Sequence, residues 1–332
     1  MVRMKKSFPL MLLIICMALV AAACGTTSPA ADSKNSAAPA TSNGGTPQAQ
    51  PSEELTFKHQ LGETKIKKNP KKVVVFDFGA LDSLDKLGVE VAGVVQSNLP
   101  EYLAKYKDSK YQSIGTLKEP DFEKINAIKP DLILISGRQQ TFYGELSKIA
   151  PTIFIGVDNK NFLESFKSNM KMLGQIFGKE SAVDAELAKI DQTIKDVKAQ
   201  VAANGKNALV ILADDGTIGA FGPGSRFGLV HDVLGIPAVD KNLDTATHGQ
   251  SISFEFIAQK NPDYLFVIDR ATAVGKGDKV GAKALVENEL VKQTKAFQDK
   301  HIVYLDQSVW YLSGGGLESV AAMVGEIAKG YK

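Results

Sequence analysis

Cysteine, tryptophan, histidine and arginine are scarce in this chain, and each scarcity excludes something. There are two cysteines, one tryptophan, four histidines and four arginines, against 35 lysines. Cys16 lies in an apolar head segment, so removal of that segment leaves Cys24 alone and no intramolecular disulfide can form. His59, His231, His248 and His301 contain no H-x-x-x-H pair and have no cysteine partners, which gives a protein-built transition-metal cage little support. There is no Walker A sequence and no G-x-G-x-x-G. Gly222-Pro-Gly224 and Gly314-Gly-Gly316 read as flexible loops, so nucleotide binding has no support. Ser83-Leu-Asp-Lys86 matches the S-x-x-K of penicillin-recognising enzymes, but no K-T-G accompanies it. An exported serine enzyme built on Ser83 and Lys86 is therefore a minor alternative.

Charge is nearly balanced, with 39 basic against 37 acidic residues. Without Arg3, Lys5 and Lys6 the remainder carries 36 against 37, or −1, which argues against nucleic acid as a partner. The composition, 44% hydrophobic and 23% charged, is that of a globular protein long enough for two domains. Residues 1–23 read as a signal peptide: a basic start, the apolar run Phe8–Val20, then Ala21-Ala22-Ala23 before Cys24. The alternative, a spanning anchor, would need about 20 apolar residues, and this run is shorter. Residues 24–53 are rich in Ser, Thr, Pro and Ala, as a flexible tether would be.

One stretch is written twice. FEKINAIKPDLILISGR (122–138) and FEFIAQKNPDYLFVIDR (254–270) align without a gap as F-E-x-I-x4-P-D-x6-R. Each of Phe122, Glu123, Ile125, Pro130, Asp131 and Arg138 has its equivalent 132 residues on, so the chain is built from two similar halves. Residues 54–67 alternate around Gly62 and predict an edge hairpin. The apolar run 71–79 predicts a buried parallel strand, followed by strands at 89–95, 132–135 and 153–155 with helices between them. From Phe162 the period turns helical. Val183, Leu187, Ile190, Ile194, Val197 and Val201 mark a helix of about 20–25 residues, stopped by Asn204-Gly205 and read as the strut between halves.

The second half restarts with a strand at 208–213 and a glycine-rich loop from Gly216 to Gly228, then a helix at 229–234. The repeated helix and strand follow, then a last strand at 301–305 and a loop through SVWYLSGGG (308–316). The expected fold is α/β: two Rossmann-like lobes with parallel-sheet cores joined by one long helix. The expected divisions are 54–157 for the first lobe, 158–205 for the linking helix region and 206–332 for the second lobe.

Outside the head, arginine occurs only as Arg138, Arg226 and Arg270. Two stand at equivalent strand ends, where open α/β sheets bind ligands, and the third lies in the glycine-rich loop. Together they would bring about three positive charges to a cleft. Like charges held together are costly unless a counter-anion joins them, which points to a small anion with planar oxygen groups. The alternative is three structural arginines, each paired with a nearby acid such as Asp269. Trp310, with Tyr311 beside it, also falls just past a strand end, and His248 lies in a loop that can face the cleft.

The small residues before Cys24 resemble the lipobox of a bacterial lipoprotein, with Cys24 as the lipid-bearing residue, although Ala21 stands where a lipobox more often has Leu. NPKKVVVFDFGALDSLDKLG, GTLKEPDFEKI, NPDYLFVIDR and WYLSGGGLES resemble the solute-binding proteins of ABC importers for ferric siderophores and cobalamin, and in particular the petrobactin-type binding lipoproteins of bacilli. The resemblance covers about 55–332. It implies the class III two-lobe architecture, no enzymatic activity, no cofactor of the protein's own, and a ferric catecholate siderophore between the lobes, with iron held by the siderophore. It further implies that Arg138, Arg226 and Arg270 contact the anion, with Trp310, Tyr311 and His248 at the same site. Glu123 and Glu255 would meet a two-fold permease; the alternative is that both simply favour a helix's positive end. The resemblance also implies a monomer on the extracytoplasmic face of the membrane, attached by lipid alone. Cobalamin or haem in the same fold is the rival cargo.

Overall fold

The computed structural model describes residues 53–275 and 281–332. The signal peptide, Cys24 and all of the tether except Glu53 lie outside the described residues. The hairpin is present as β1 (Glu54–His59) and β2 (Gly62–Lys67), antiparallel with Glu54 opposite Lys67. Its inward residues Phe57, Thr64 and Ile66 are buried, and the Thr64 hydroxyl donates to the Thr152 carbonyl at 2.8 Å, which fastens the hairpin to the first lobe.

That lobe is built from β3 (Val73–Val75), α1 (Phe78–Lys86), β4 (Gly93–Val94), β5 (Gln112–Ser113), α2 (Phe122–Ile128), β6 (Leu132–Ile135), α3 (Tyr143–Ile149) and β7 (Thr152–Phe154). The strands lie in the order β5-β4-β3-β6-β7, all parallel. Valines 73–75 are at most 1% exposed, as expected of a strand covered on both faces. The strand ends earlier than its apolar run because Asp77 caps α1, its Oδ1 accepting the Ala80 amide at 2.8 Å. The strand expected over 89–95 shrinks to Gly93–Val94; Ile114 and Ile128 fill the place where a Gly93 side chain would stand.

The helical period from Phe162 resolves into two helices, α4 (Phe162–Phe177) and α5 (Glu180–Asn204), because Gly178 adopts φ 62 and stops the first. On α5 the six residues picked out by spacing are the buried ones.

The second lobe contains β8 (Ala208–Asp214), β9 (Thr217–Phe221), β10 (Gln250–Ile252), α6 (Phe254–Lys260), β11 (Tyr264–Asp269), α7 (Arg270–Ala273), α8 (Ala282–Val286), α9 (Lys295–Gln298), β12 (Ile302–Leu305) and α10 (Leu317–Gly330). Its sheet runs β10-β9-β8-β11-β12. Strands β8, β11 and β12 are parallel, whereas β9 and β10 are antiparallel, so this core is mixed rather than purely parallel. Part of the expected glycine-rich loop is therefore strand β9. The reason is Asp215-Gly216, both at positive φ, which close a two-residue hairpin between Asp214 and Thr217. The segment expected to be a loop at 308–316 begins instead with a turn of π-helix, Ser308–Ser313.

A second long helix runs beside α5. The first turn of α10 meets α1, where the Leu317 amide donates to Ser83 Oγ at 2.9 Å. Its far end meets the second lobe, where the Tyr331 hydroxyl donates to the Lys206 carbonyl at 2.8 Å and Asn204 of α5 bonds the Lys332 carbonyl at 2.6 Å. The helix joining the lobes thus has a parallel companion. One apolar core runs through both lobes along these helices, and a smaller one lies under α6, α8 and α9.

Candidate functional site

The duplicated motif folds the same way twice, as α2–β6 and α6–β11. Each helix is capped by the residue before its Phe: Asp121 accepts the Lys124 amide and Ser253 the Phe256 amide. Each helix ends in a left-handed residue, Lys129 (φ 52) or Asn261 (φ 44), just before the proline. The aspartate after that proline holds the entry to the first strand of its sheet. Asp131 accepts the Lys71 and Lys72 amides at 2.9 and 2.8 Å, and Asp263 accepts the Asn207 amide at 3.0 Å. The repeat places each arginine by pinning β6 beside β3 and β11 beside β8.

The three arginines, all half-buried, converge on one residue, Tyr311. Arg138, three residues past β6, donates through Nη2 to the Tyr311 carbonyl at 2.8 Å and through Nη1 to the Leu312 carbonyl at 3.3 Å. Arg226 donates to the same Tyr311 carbonyl, and its guanidinium lies 4.3 Å from the Tyr311 ring centre and 5.3 Å from that of Phe227. Arg270, directly after β11, donates through Nε to the Tyr311 hydroxyl at 2.7 Å and pairs through Nη1 with Asp214. The acid beside Arg270 is thus Asp214 and not the expected Asp269. Asp269 caps α7 instead, accepting the Thr272 amide and hydroxyl at 3.0 and 2.9 Å.

These residues line a cavity of about 630 Å³ between the lobes, together with His248, Trp310, Asp77 and Lys118. Burial and the neighbouring charge of Arg138 push the Arg226 guanidinium down to about 10, so it remains charged at neutral pH but at a cost. His248 is exposed at the cavity edge. Partial burial and the charges of Arg270 and Arg226 hold its imidazole below the usual range and therefore neutral. At the base of α1, burial holds the Asp77 carboxyl above the usual range, against Ser136 and Arg138. Trp310 belongs to the wall rather than the open surface: it is 1% exposed, its indole donates to Glu326 at 2.7 Å, and burial raises the Glu326 carboxyl.

Glu123 and Glu255 stand exposed in the first turns of α2 and α6, equivalent positions on the two lobes. Among the described residues no group of three or more His, Cys, Asp or Glu side chains is placed to hold a metal ion. The S-x-x-K alternative fails on geometry. Ser83 is fully buried, its hydroxyl donating to the Gly79 carbonyl at 2.7 Å and accepting Leu317, while Lys86 lies 3.9 Å from Glu186. Neither residue lines the cavity.

The profile of the periplasmic binding protein family matches residues 73–309. The petrobactin-binding protein YclQ of Bacillus subtilis is 51% identical over 332 residues, 98% of this chain and 99% of that protein. The ferric-anguibactin-binding protein FatB of Vibrio anguillarum is 36% identical over 84% of this chain and 88% of that one. Among solved structures, YclQ superposes with a TM-score of 0.82 at 55% identity over 84% of this chain and 99% of that chain. The periplasmic catecholate-siderophore binding protein VctP of Vibrio cholerae superposes with a TM-score of 0.80 at 38% identity, over 83% of this chain and 100% of that one. Two α/β lobes, a cleft at the strand ends and matches of this extent agree with one another: the chain belongs to the periplasmic binding protein family, a family of extracytoplasmic binding proteins rather than enzymes.

Proposed function

We propose that this protein is an extracytoplasmic receptor that takes a ferric catecholate siderophore of the petrobactin type into the cleft and delivers it to the permease of an ABC importer. The observation that carries the reading is the convergence of Arg138, Arg226 and Arg270 on Tyr311 inside the cavity. Fe(III) bound by three doubly charged bidentate groups carries a net charge of about −3, and its flat, oxygen-edged rings suit both guanidinium hydrogen bonds and guanidinium stacking. Iron reaches the site already chelated. Cobalamin, ringed by neutral amides, and haem, a largely apolar ring, are both large and lack a compact charge near −3, so they fit a cluster of three guanidiniums less well. That YclQ binds petrobactin, FatB ferric anguibactin and VctP a catecholate siderophore supports the same reading.

In this role Arg138, Arg226, Arg270, Tyr311 and His248 contact the ligand, with Trp310 behind them, and Glu123 and Glu255 face the two halves of the permease. Cys24 carries the lipid that holds a monomer at the membrane. Calorimetric titration with ferric petrobactin, ferric bacillibactin, haem and cobalamin in parallel tests the cargo. Tight binding of a ferric catecholate and weak or no binding of the two macrocycles is expected. Preference for haem or cobalamin would overturn the assignment.

A further inference from the structure

Of the three cleft arginines, only Arg270 is hydrogen-bonded to a carboxylate among the described residues. Arg138 and Arg226 donate to neutral carbonyls, whereas Arg270 gives Nη1 to Asp214 Oδ2 and Nε to the Tyr311 hydroxyl. Asp214 ends β8, one place before the Asp215-Gly216 turn, and the turn does not use its side chain: Thr217 Oγ1 donates to the Asp214 main-chain carbonyl. The second side-chain oxygen of Asp214, Oδ1, is buried with no hydrogen-bond partner among the described residues. A carboxylate oxygen kept out of water without a donor costs free energy. Neither the strand nor the turn accounts for that cost. The contact that this side chain makes is with Arg270, whose own side chain is 17% exposed toward the cavity.

We propose that Asp214 is a specificity-determining residue that sets the charge the cleft accepts: it cancels one of three guanidinium charges and, with Tyr311, fixes the face that Arg270 shows the ligand. The role rests on the siderophore reading above. Arg270 enters binding partly neutralised and already oriented, so the ligand gains less from it by charge alone and more by the match of its oxygen edge to the remaining donors. Complexes richer in negative charge are then favoured less than three free arginines would favour them.

The variants Asp214→Asn and Asp214→Glu separate charge from orientation. Asparagine keeps an oxygen that accepts Arg270 and loses the charge, while glutamate keeps the charge. Affinity would be measured for a trianionic ferric tris-catecholate and a neutral ferric tris-hydroxamate, at low and at raised salt. For Asp214→Asn the preference for the trianion should widen by about three- to tenfold at low salt and narrow as salt rises. Asp214→Glu should hold the wild-type ratio. A wild-type protein that binds neither complex would overturn the siderophore reading and this role with it. Wild-type binding with an unchanged ratio in Asp214→Asn, or a ratio that shifts equally in Asp214→Glu, would overturn the role alone.

Discussion

Asp82, on the first helix of the first lobe, accepts the main-chain amide of Ser319, 237 residues further along the chain, at 3.2 Å. It also accepts the Glu318 amide at 3.2 Å and the Tyr102 hydroxyl at 3.3 Å, while the Tyr102 hydroxyl lies 2.7 Å from Ser313. The start of α10 and the segment carrying Tyr311 are therefore held from the opposite lobe.

Burial, opposed by Ser319 and the amides and aided by the charge of Asp77, pushes the Asp82 carboxyl up to about 7. The folded protein thus binds this proton more tightly than the unfolded chain, where an aspartate titrates near 3.9. The stability so contributed is fully present below about pH 4 and lost as pH rises through about 7. Asp82→Asn cannot ionise, so urea midpoints should shift in its favour relative to wild type as pH climbs through that window, by a few kcal/mol in order of magnitude. A stability difference that stays constant from pH 4 to 8 would refute this account.

The same junction is packed to backbone contact. A methyl group at Gly316 would collide with the Asp82 carboxylate, held by the Glu318 and Ser319 amides, and with the main-chain carbonyl of Gly79. Gly316→Ala should therefore destabilise by about 2–4 kcal/mol, read as a fall in melting temperature, whereas Gly325→Ala, on open helix surface, should cost nothing measurable. Equal melting temperatures for the two variants would count against the packing described.

Much of this was legible in sequence where the signal was local. The period-two hairpin, the 4-3-4-3-4 stripe of α5 and the repeated F-E-x-I-x4-P-D-x6-R each correspond to an element with those residues buried or capped. Two local signals went unread: Asp215-Gly216 between apolar runs is a hairpin turn, and Leu317, Val320, Val324 and Ile327 carry the helical spacing of α10. What no spacing could give is long-range pairing. Nothing local marks Asp82 as the holder of Ser319, Asp214 as the partner of Arg270, or the Tyr311 carbonyl as the shared acceptor of two arginines. Trp310 shows the same limit: a strand-end position says that a residue is near the cleft, whose cavity it does line, but not that its indole is tied to Glu326, sixteen residues on.

Tyr311→Phe removes one contact of the hub and spares the rest. The hydroxyl that accepts Arg270 is lost, while the carbonyl that accepts Arg138 and Arg226 remains. A hydrogen bond from a charged group, partly open to water, is worth about 1–2 kcal/mol, so affinity for the ferric catecholate should fall roughly five- to thirtyfold. The melting temperature should barely change. A loss of several hundredfold would mean that the hydroxyl does more than position Arg270.

Glu123 and Glu255 are exposed, lie in matching first turns and line no part of the cavity. The double variant Glu123→Ala with Glu255→Ala should bind ferric siderophore in solution with unchanged affinity and fail to support uptake of labelled iron by cells. Weakened binding by the purified variant would move these residues from docking to ligand recognition.

Arg226 has no counterpart in the repeat, and it is the arginine for which the ligand-free protein does least. Its guanidinium is driven down to about 10 by burial and then by the nearby charge of Arg138, and the hydrogen bond and ring of Tyr311 offset only part of this. Holding that charge therefore costs the empty protein free energy of order a few kcal/mol, recovered only when an anion arrives. Arg226→Met keeps much of the side-chain volume and removes the charge. It should raise the melting temperature of the ligand-free protein by several degrees while weakening ferric catecholate binding by more than tenfold. Arg226→Lys retains the charge without the planar stacking surface and should recover affinity in part. The opposed signs of the two Arg226→Met effects are the test: a structural arginine would lose stability when replaced, and a variant less stable than wild type would return Arg226 to that role.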